Sequence, residues 1–289
     1  MNLTETKLWT ALITPMTEKG GVDYASLELL CRQQEKEQNG ILVLGSTGES
    51  LNLNRGEKRE IFSFVKGLNL KVPLMAGVGG INLEETIKDL QYLETLNYDC
   101  YLMVTPLYAK PGTIGQLHWF QALMNEVTKP TMLYNIPGRT GVSLSKKALL
   151  TLKDHPRFWA IKEASGSPQE FESYVQTVAP HPVYSGDDGL LPYYKDLGVK
   201  GLVSVASNAW PSQTNRYVQK TLKGELENPK EWEEWSNALF MESNPIPVKR
   251  LLFERGDIKA HHCRLPLSHE EITNTEPLMK TNRSVQNWS

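Results

Sequence analysis

A short apolar run, FWAIKEASG at residues 158–166, carries a lysine to the end of a predicted strand, just before a turn. Because successive strand side chains face opposite ways, Ile161 and Glu163 share one face and Lys162 takes the other. Inside a parallel barrel, burial would lower the pKa of Lys162 and leave free amine to attack a carbonyl. We therefore interpret Lys162 as a Schiff-base lysine. The alternative, which this stretch alone favours, is a solvated lysine that ends a strand.

Polar residues that could bind a substrate or move protons beside this lysine lie in or just after other apolar runs. In GSTGES, residues 45–50, the glycines let the backbone approach a ligand, and Ser46 and Thr47 offer hydroxyl and N–H donors to a carboxylate. Tyr134 could exchange protons with Lys162. Arg139, beyond a Pro-Gly bend, could bind a substrate carboxylate. Taken one at a time, these features have alternatives: a Gly/Ser turn, a packed tyrosine and a solvated arginine.

Three other groupings are given structural interpretations. His261-His262-Cys263 contains metal-ligand types, but adjacent residues point to different sides of a regular element, so a polar loop is the favoured interpretation. Trp232 and Trp235 are three apart and predict one packed helix face rather than a platform for stacking bases. Asp187-Asp188 is interpreted as a pair of hydrogen-bonded loop carboxylates rather than an acid pair.

The elements that position these residues form a regular alternation. Eight apolar, β-branched segments are separated by segments of helical periodicity. The predicted strands are Leu8–Thr14, Ile41–Gly45, Pro73–Gly77, Tyr101–Thr105, Thr131–Asn135, Trp159–Glu163, Pro182–Gly186 and Gly201–Ala206. Helix starts are marked by Asn54 with Glu57, Asn82 with Glu85, and Ser167 with Glu170.

Strand alternating with helix eight times predicts an α/β fold, a (β/α)8 TIM barrel. A doubly wound parallel sheet is the structural alternative. It would more often place a Gly-rich turn after the first strand, whereas this turn reads TPMT at residues 14–17.

Only helices are predicted after the eighth strand. Their expected starts lie near Ser212, Asn228 and Ser268, and a further helix is expected at Pro247–Arg255. We therefore expect a barrel domain at residues 1–224 and a small C-terminal helical domain at 225–289. The final polar stretch, NRSVQNWS at 282–289, is expected to fray.

The composition favours a protein that acts on small molecules. The formal net charge of −2 over 289 residues provides no basic field for nucleic acid or for an anionic membrane. Cys31, Cys100 and Cys263 are too few and too scattered for a disulfide framework, and they fit a reducing compartment. The start lacks a signal-peptide pattern and no apolar run reaches membrane-spanning length, so we expect a cytoplasmic protein.

The order and spacing of these motifs make the chain similar to the dihydrodipicolinate synthase/N-acetylneuraminate lyase family of class I aldolase-type barrels. The resemblance covers nearly the whole chain. Its motifs are Ala11–Pro15, Gly45–Ser50, Thr105–Tyr108, Tyr134–Gly141, Ile161–Glu163, Ser185–Asp188, Asn244–Lys249 and Arg264–Pro266. Arg139 resembles the arginine by which synthases of this family bind the carboxylate of an aldehyde substrate, and which sialate lyases usually lack.

The resemblance implies a reaction. Lys162 would condense with pyruvate, and the resulting enamine would attack L-aspartate 4-semialdehyde to give 4-hydroxy-tetrahydrodipicolinate, in lysine and diaminopimelate biosynthesis. Neither a metal nor a cofactor is implied. One alternative is another pyruvate-dependent aldolase of the family, which cleaves N-acetylneuraminate or a 2-keto-3-deoxy sugar acid. A non-catalytic ligand-binding barrel is the other alternative, and we consider it less favoured because the lysine, tyrosine and hydroxyl positions are all kept.

The resemblance also implies roles for single residues. Tyr134, the hydroxyl of Ser46 or Thr47, and Tyr108 would relay protons, with Tyr108 reaching in from a neighbouring subunit. The implied assembly is a homotetramer, a dimer of dimers. Backbone groups of Ser46 and Thr47 would hold the pyruvate carboxylate. The residues expected to line the pocket are Gly186 and Val203.

The chain departs from the family pattern at two places, and each departure predicts a property of the protein. Ser46 stands where the synthases usually have threonine, so the hydroxyl is kept but its rotamer is less fixed. Lysine-inhibited members carry an aromatic residue where Leu107 stands, often a histidine where Arg55 stands, and an asparagine near Ile81. Ser50 and Glu85 remain. We therefore expect weak or absent inhibition by L-lysine.

Overall fold

Eight parallel strands close into a barrel in a computed structural model that describes residues 3–288. The strands are β1 Leu8–Ala11, β2 Gly40–Val43, β3 Leu74–Val78, β4 Cys100–Val104, β5 Thr131–Asn135, β6 Phe158–Glu163, β7 Val183–Ser185 and β8 Leu202–Ser204. Because β1 pairs with both β2 and β8, the sheet has no free edge. This closure confirms the predicted (β/α)8 TIM barrel and excludes the doubly wound sheet.

The strands are covered on both faces, as their near-continuous apolar character predicts. Every residue of β1, β2 and β5 is buried. The predicted strand Thr131–Asn135 coincides with β5, and the other predictions differ only at their ends. The predicted first strand, for example, continues to Thr14, whereas β1 ends at Ala11, and the Leu12 N–H still donates to the Leu42 carbonyl.

Twelve α-helices lie around and beyond the barrel in the part of the chain from residue 3 to 288. They are α1 Tyr24–Lys36, α2 Arg55–Gly67, α3 Leu83–Leu96, α4 Thr113–Asn125, α5 Pro137–Thr140, α6 Lys146–Leu152, α7 Pro168–Val178, α8 Leu191–Tyr194, α9 Pro211–Lys223, α10 Pro229–Ala238, α11 Ile246–Glu254 and α12 Glu276–Gln286. The three predicted N-caps are confirmed, because Asn54, Asn82 and Ser167 each accept from the N–H three residues on.

The C-terminal helices differ from the prediction at their end. Ser268 caps only a short 3-10 turn at His269–Glu271, and the last long helix begins at Glu276. The expected fraying from residue 282 is also wrong for most of that stretch, because α12 continues to Gln286 and buries Val285. Val285 follows Leu278 at helical spacing, so these two buried side chains share one face of α12 and hold the otherwise polar stretch in the helix.

The interpretation of the tryptophans is confirmed. Trp232 is buried and stacks on Tyr217 at a centroid distance of 4.2 Å, while Trp235 contacts the edge of Trp232. Trp288 joins the same cluster. Among the helices of residues 3–288, none is both long enough and apolar enough to span a bilayer.

Candidate active site

Lys162 lies in β6 with its side chain inside the barrel. It occupies the same register as Tyr134 on β5 and Tyr184 on β7, so the three side chains share the inner face. Only 5% of its surface is exposed. Lys162 is also the penultimate residue of its strand, which places the amine at the carboxyl end of the barrel, where barrel enzymes bind substrates.

Burial makes the Lys162 amine less basic. It lowers the pKa of Lys162 to about 8, because a charged ammonium is poorly solvated inside the barrel. The negative charges of Asp187 and Asp188 oppose this shift, and the positive charge of Arg139 reinforces it. Near neutral pH a minority of the lysine is therefore free, nucleophilic amine, a far larger fraction than for a solvated lysine.

Tyr134 lies directly against this amine. The Lys162 Nζ is 4.1 Å from the centre of the Tyr134 ring, and the tyrosine is buried. Burial raises the pKa of Tyr134, and Asp187 raises it further, whereas Arg139 and a hydrogen bond with the Ser46 side chain lower it. Tyr134 is therefore a neutral phenol between the lysine and Ser46, able to accept and to donate a proton.

The loop after β2 brings Ser46 and Thr47 to the same mouth. Thr47 is buried, and its Oγ1 accepts a hydrogen bond of 2.9 Å from the Asn244 amide. Both residues line a cavity of about 890 Å³, together with Lys162 and Tyr134. The cavity has room for small substrates, and Asn244 links Thr47 with Arg139, since both contact it.

Arg139 stands at the rim of the cavity. It lies in the short helix α5, and its exposed guanidinium donates to the Asn244 carbonyl at 3.3 Å. Its remaining donors are available to a ligand in the cavity that it lines. A cation at the mouth of a pocket with a buried amine at its base suits a small carboxylate that also carries a carbonyl.

Tyr108 is placed differently from the other candidates. It lines the cavity but is 90% exposed and has a left-handed backbone with φ 62°. Its hydroxyl makes no hydrogen bond to any residue between 3 and 288. Half-buried Leu107 beside it and the exposed Leu51 also line the cavity and add apolar surface there. Within one chain, Tyr108 therefore does not join the hydroxyl groups of Ser46 and Thr47.

Gly186 and Val203 lie deeper than expected for a pocket lining. A Cβ on Gly186 would come within 2.8 Å of the Lys162 Cε, so the glycine lets the lysine side chain pass. Val203 is buried in the inner layer of the barrel, in the apolar cluster that contains Tyr134 and Tyr184. Neither is among the described residues that line the 890 Å³ cavity.

The two aspartates after β7 have different environments. Asp188 is a hydrogen-bonded loop carboxylate, as the sequence predicts, because it accepts from Ser204 Oγ and from the N–H groups of Val205 and Ala206. Asp187 fits this interpretation only in part: it accepts a backbone hydrogen bond from Gly166, but its buried Oδ2 has no partner within residues 3–288. Burial, together with the charge of Glu163, raises the pKa of Asp187 to about 7.

Some contacts of the site escape sequence reasoning. Glu163, on the outer face of β6, accepts from the Asn135 amide and from the Ser165 N–H and so fixes the strand end next to the lysine. The signal for this was the strand alternation, which placed Glu163 opposite Lys162. Asn244 touches both Thr47 and Arg139, from which it is 197 and 105 residues away. The family resemblance included it in the motif Asn244–Lys249, but nothing near it in the sequence indicated these two contacts.

The histidines of the C-terminal region pack against each other. His261 and His262 each approach His269 with ring centres 5.0 Å apart, and Cys263 is buried. Between residues 3 and 288, no group of three or more His, Cys, Asp or Glu side chains is arranged to hold a metal ion.

Comparison with known proteins agrees with this geometry. The sequence profile of the Dihydrodipicolinate synthetase family matches residues 4–283. The 4-hydroxy-tetrahydrodipicolinate synthase of Francisella philomiragia is 46% identical over 98% of this chain and 96% of its own length. The synthase of Francisella tularensis subsp. novicida is 44% identical with the same coverage.

A solved structure shows the same fold throughout. The dihydrodipicolinate synthase of Acinetobacter baumannii, complexed with pyruvate, superposes with a TM-score of 0.92 at 32% identity and covers 97% of this chain and 99% of that one. The motifs around the buried lysine, the full-length relatives and the shared barrel lead to one conclusion. The chain belongs to the Dihydrodipicolinate synthetase family.

Proposed function

We propose that the protein condenses pyruvate with L-aspartate 4-semialdehyde through a Schiff base on Lys162. The product is 4-hydroxy-tetrahydrodipicolinate, and the reaction serves lysine and diaminopimelate biosynthesis. The observation that carries this proposal is the buried Lys162 amine, with a pKa of about 8, against Tyr134 at the base of a cavity rimmed by Arg139. Full-length relatives named for this activity support the choice of substrates.

The first half of the reaction makes a nucleophile from pyruvate. The free Lys162 amine adds to the keto carbon, and loss of water gives an iminium ion. The iminium accepts electrons from the neighbouring C–H bond, so a methyl proton leaves and an enamine forms. Tyr134, hydrogen-bonded with Ser46, is placed to move the protons of these steps. The N–H and hydroxyl groups of Ser46 and Thr47 hold the pyruvate carboxylate.

The second half joins the two substrates. The enamine carbon attacks the aldehyde of L-aspartate 4-semialdehyde, whose oxygen takes up a proton, and the iminium on Lys162 is restored. The amino group of the second substrate then attacks the iminium carbon and closes a ring, which releases Lys162 as free amine. Arg139 holds the carboxylate of the aldehyde substrate by charge-assisted hydrogen bonds. Such an orientation converts a bimolecular step into one within a single complex.

A substrate comparison tests this function. We expect the purified protein to consume pyruvate only when aspartate semialdehyde is added, and to leave N-acetylneuraminate and 2-keto-3-deoxy sugar acids uncleaved. Arg139→Met should weaken the apparent affinity for the aldehyde substrate while pyruvate still forms its Schiff base. Efficient release of pyruvate from a sugar acid would overturn the proposal in favour of a lyase.

Schiff-base formation should increase with pH. Because the Lys162 pKa is about 8 and only the free amine attacks, the initial rate of the pyruvate adduct, trapped with borohydride, should rise with a midpoint near that pH and level off about one pH unit above it. At pH 7 roughly one tenth of the amine is uncharged. In Asp187→Asn the rise should move to lower pH, since the Asp187 charge raises the Lys162 pKa. A rise that moves to higher pH in Asp187→Asn would contradict this assignment.

Inhibition by L-lysine should be weak or absent. The carboxylate of Glu85 is already engaged, since Arg55 Nη1 lies 2.5 Å from one oxygen and Lys88 Nζ lies 2.8 Å from the other. Leu107 offers neither a ring nor a hydroxyl to a bound amino acid. We therefore expect nearly full activity in millimolar L-lysine at saturating pyruvate. Half-inhibition at micromolar L-lysine would contradict the prediction.

A homotetramer built from two dimers is the assembly that we propose. The support within one chain is Tyr108, which is 90% exposed and lines the cavity together with half-buried Leu107 and exposed Leu51. A second copy on this surface would bury the apolar side chains and complete the relay with Tyr108. Sedimentation equilibrium should give the mass of four chains. A monomer that is fully active would exclude the shared relay.

The remaining proposals concern organisation and location. We propose that residues 225–289 form a helical domain on a barrel of residues 1–224. In support, α9 ends at Lys223 and is capped by Gly224 with φ 78°, and Trp232 of α10 packs against Trp288, which follows α12. We propose a cytoplasmic location because the three cysteines are buried and free, which suits a reducing compartment.

A further inference from the structure

The loop that carries Ser46 and Thr47 has an unusual backbone. Leu44 before it and Glu49 within it both have left-handed conformations, with φ of 55° and 54°. Side chains other than glycine and asparagine rarely adopt this region. Residues held in it persist only where the surrounding structure fixes them.

A fully buried ion pair supplies such a constraint. Lys249, on α11, donates from its Nζ to Glu49 Oε1, and both side chains have no exposed surface. The same Nζ also donates to the His262 carbonyl at 2.9 Å. The second oxygen, Glu49 Oε2, accepts from the Arg264 N–H at 3.0 Å. The Glu49 carboxylate is therefore held at both oxygens by the C-terminal part of the chain.

Further bonds pass this constraint to the loop. The Glu49 N–H donates to the Ser46 carbonyl at 3.1 Å, which closes the turn. The Gly48 carbonyl accepts from Thr14 Oγ1 at 2.7 Å, and a Cβ on Gly48 would meet the Leu44 Cα at 3.0 Å. Fixing Glu49 therefore fixes the direction of the backbone N–H groups just before it.

Stability alone is a poor explanation for this pair. Removing two charges from water is costly, and apolar residues of similar volume often serve a fold as well or better. What a buried ion pair provides is a single geometry, because only one arrangement satisfies both charges. The pair anchors a loop with two left-handed residues, which lies outside the strand ladder that fixes the barrel wall.

We infer that Glu49 and Lys249 are positioning residues for pyruvate, through which α11 holds the Ser46-Thr47 loop in its carboxylate-binding geometry. This inference rests on the proposed function, since it assigns the pyruvate carboxylate to that loop. Neither side chain touches the substrate. The C-terminal helices thus contribute to pyruvate binding, not only to the packing of the barrel.

Lys249→Met tests the inference most sharply. We expect the half-saturating pyruvate concentration for the borohydride-trapped adduct to rise by about 10- to 100-fold, because displacement of the loop by about an ångström misplaces its donors. The rate of adduct formation at saturating pyruvate should change far less, since Lys162 and Tyr134 are untouched. This split between affinity and rate would not follow from a loss of folded protein.

Two matched variants separate positioning from stability. Glu49→Gln combined with Lys249→Met leaves no unpaired buried charge, so its melting temperature should recover towards that of the original protein while pyruvate affinity stays low. Leu251→Ala removes buried packing from the opposite side of α11 and should lower the melting temperature with less than about a twofold change in pyruvate affinity.

The outcomes distinguish this inference from the proposed function. If the double variant regains the original pyruvate affinity, or if Leu251→Ala loses as much affinity as Lys249→Met, the pair is structural and the inference is overturned. If the unaltered protein forms no pyruvate adduct, the proposed function fails first. A normal adduct in the unaltered protein with low affinity in both Lys249 variants supports the inference.

Discussion

Lys162→Met should lower turnover by about three orders of magnitude or more, the scale on which loss of a covalent nucleophile acts in other enzymes. Methionine keeps much of the length of the side chain and suits the buried position, which is only 5% exposed, so the barrel should stay folded. What is lost is the amine that forms the iminium and acts as the electron sink. The measurement is steady-state turnover of pyruvate and aspartate semialdehyde.

A lysine remote from the site provides the control. Lys200 is exposed just before β8, and Lys200→Met should leave turnover within about twofold of the original, as surface substitutions usually do. Lys162→Arg keeps a positive charge but no attacking amine, so it should be as inactive as Lys162→Met. If either Lys162 variant kept more than about a tenth of the original turnover, covalent catalysis by this residue would be untenable.

Tyr134→Phe should lower turnover by about two orders of magnitude or more, which is the usual contribution of a positioned proton donor and acceptor. The substitution removes one oxygen and leaves the ring that packs 4.1 Å from the Lys162 Nζ. Protons must leave the pyruvate methyl group and enter the aldehyde oxygen, and without the phenol neither has a route through Ser46. Both the rate of adduct trapping and the overall turnover should fall.

Tyr184→Phe is a matched control for this variant. Tyr184 flanks Lys162 on the other side, in the same register, and is equally buried within the barrel. Its hydroxyl has no hydrogen-bond partner within residues 3–288, so no relay passes through it. We expect less than about a threefold change in turnover, within the range of a small packing effect. Equal losses in the two variants would mean that the barrel interior, not a specific phenol, sets the rate.

Sequence patterns were sufficient to predict those features that depend only on residues close together in the chain. Apolar runs at even spacing gave the strands, as β5 at Thr131–Asn135 illustrates, and the period of two placed Lys162 inward and Glu163 outward. The N-cap at Asn54 was predictable because a capping box joins residues only three apart. These signals were sufficient to bring Lys162 and Tyr134 together on adjacent strands.

Contacts between distant segments could not be predicted in this way. Glu49 and Lys249 are two hundred positions apart, and nothing near either residue indicates its partner. Ser268 has the local features of a helix start, yet the chain forms only a short turn there and α12 begins later, at Glu276. In each case tertiary packing decided between local options of similar free energy.

Asp187 illustrates a further limit. The sequence placed it in a polar loop after a strand, where its carboxylate was expected to be hydrogen-bonded. Its burial near Glu163 and Lys162 depends on how the end of β6 and the turn after β7 come together, and that burial, with the charge of Glu163, raises its pKa to about 7. Electrostatic coupling of this kind follows from three-dimensional distances, so the residue type alone did not reveal it.

The most direct test of the account is to reduce the protein with borohydride in the presence of pyruvate and to map the modified peptide by mass spectrometry. We predict one pyruvate-dependent adduct per chain, on Lys162, and none in Lys162→Met. A folded protein that forms no adduct, or one whose adduct lies on another lysine, would contradict the claim that the buried amine of β6 is the nucleophile.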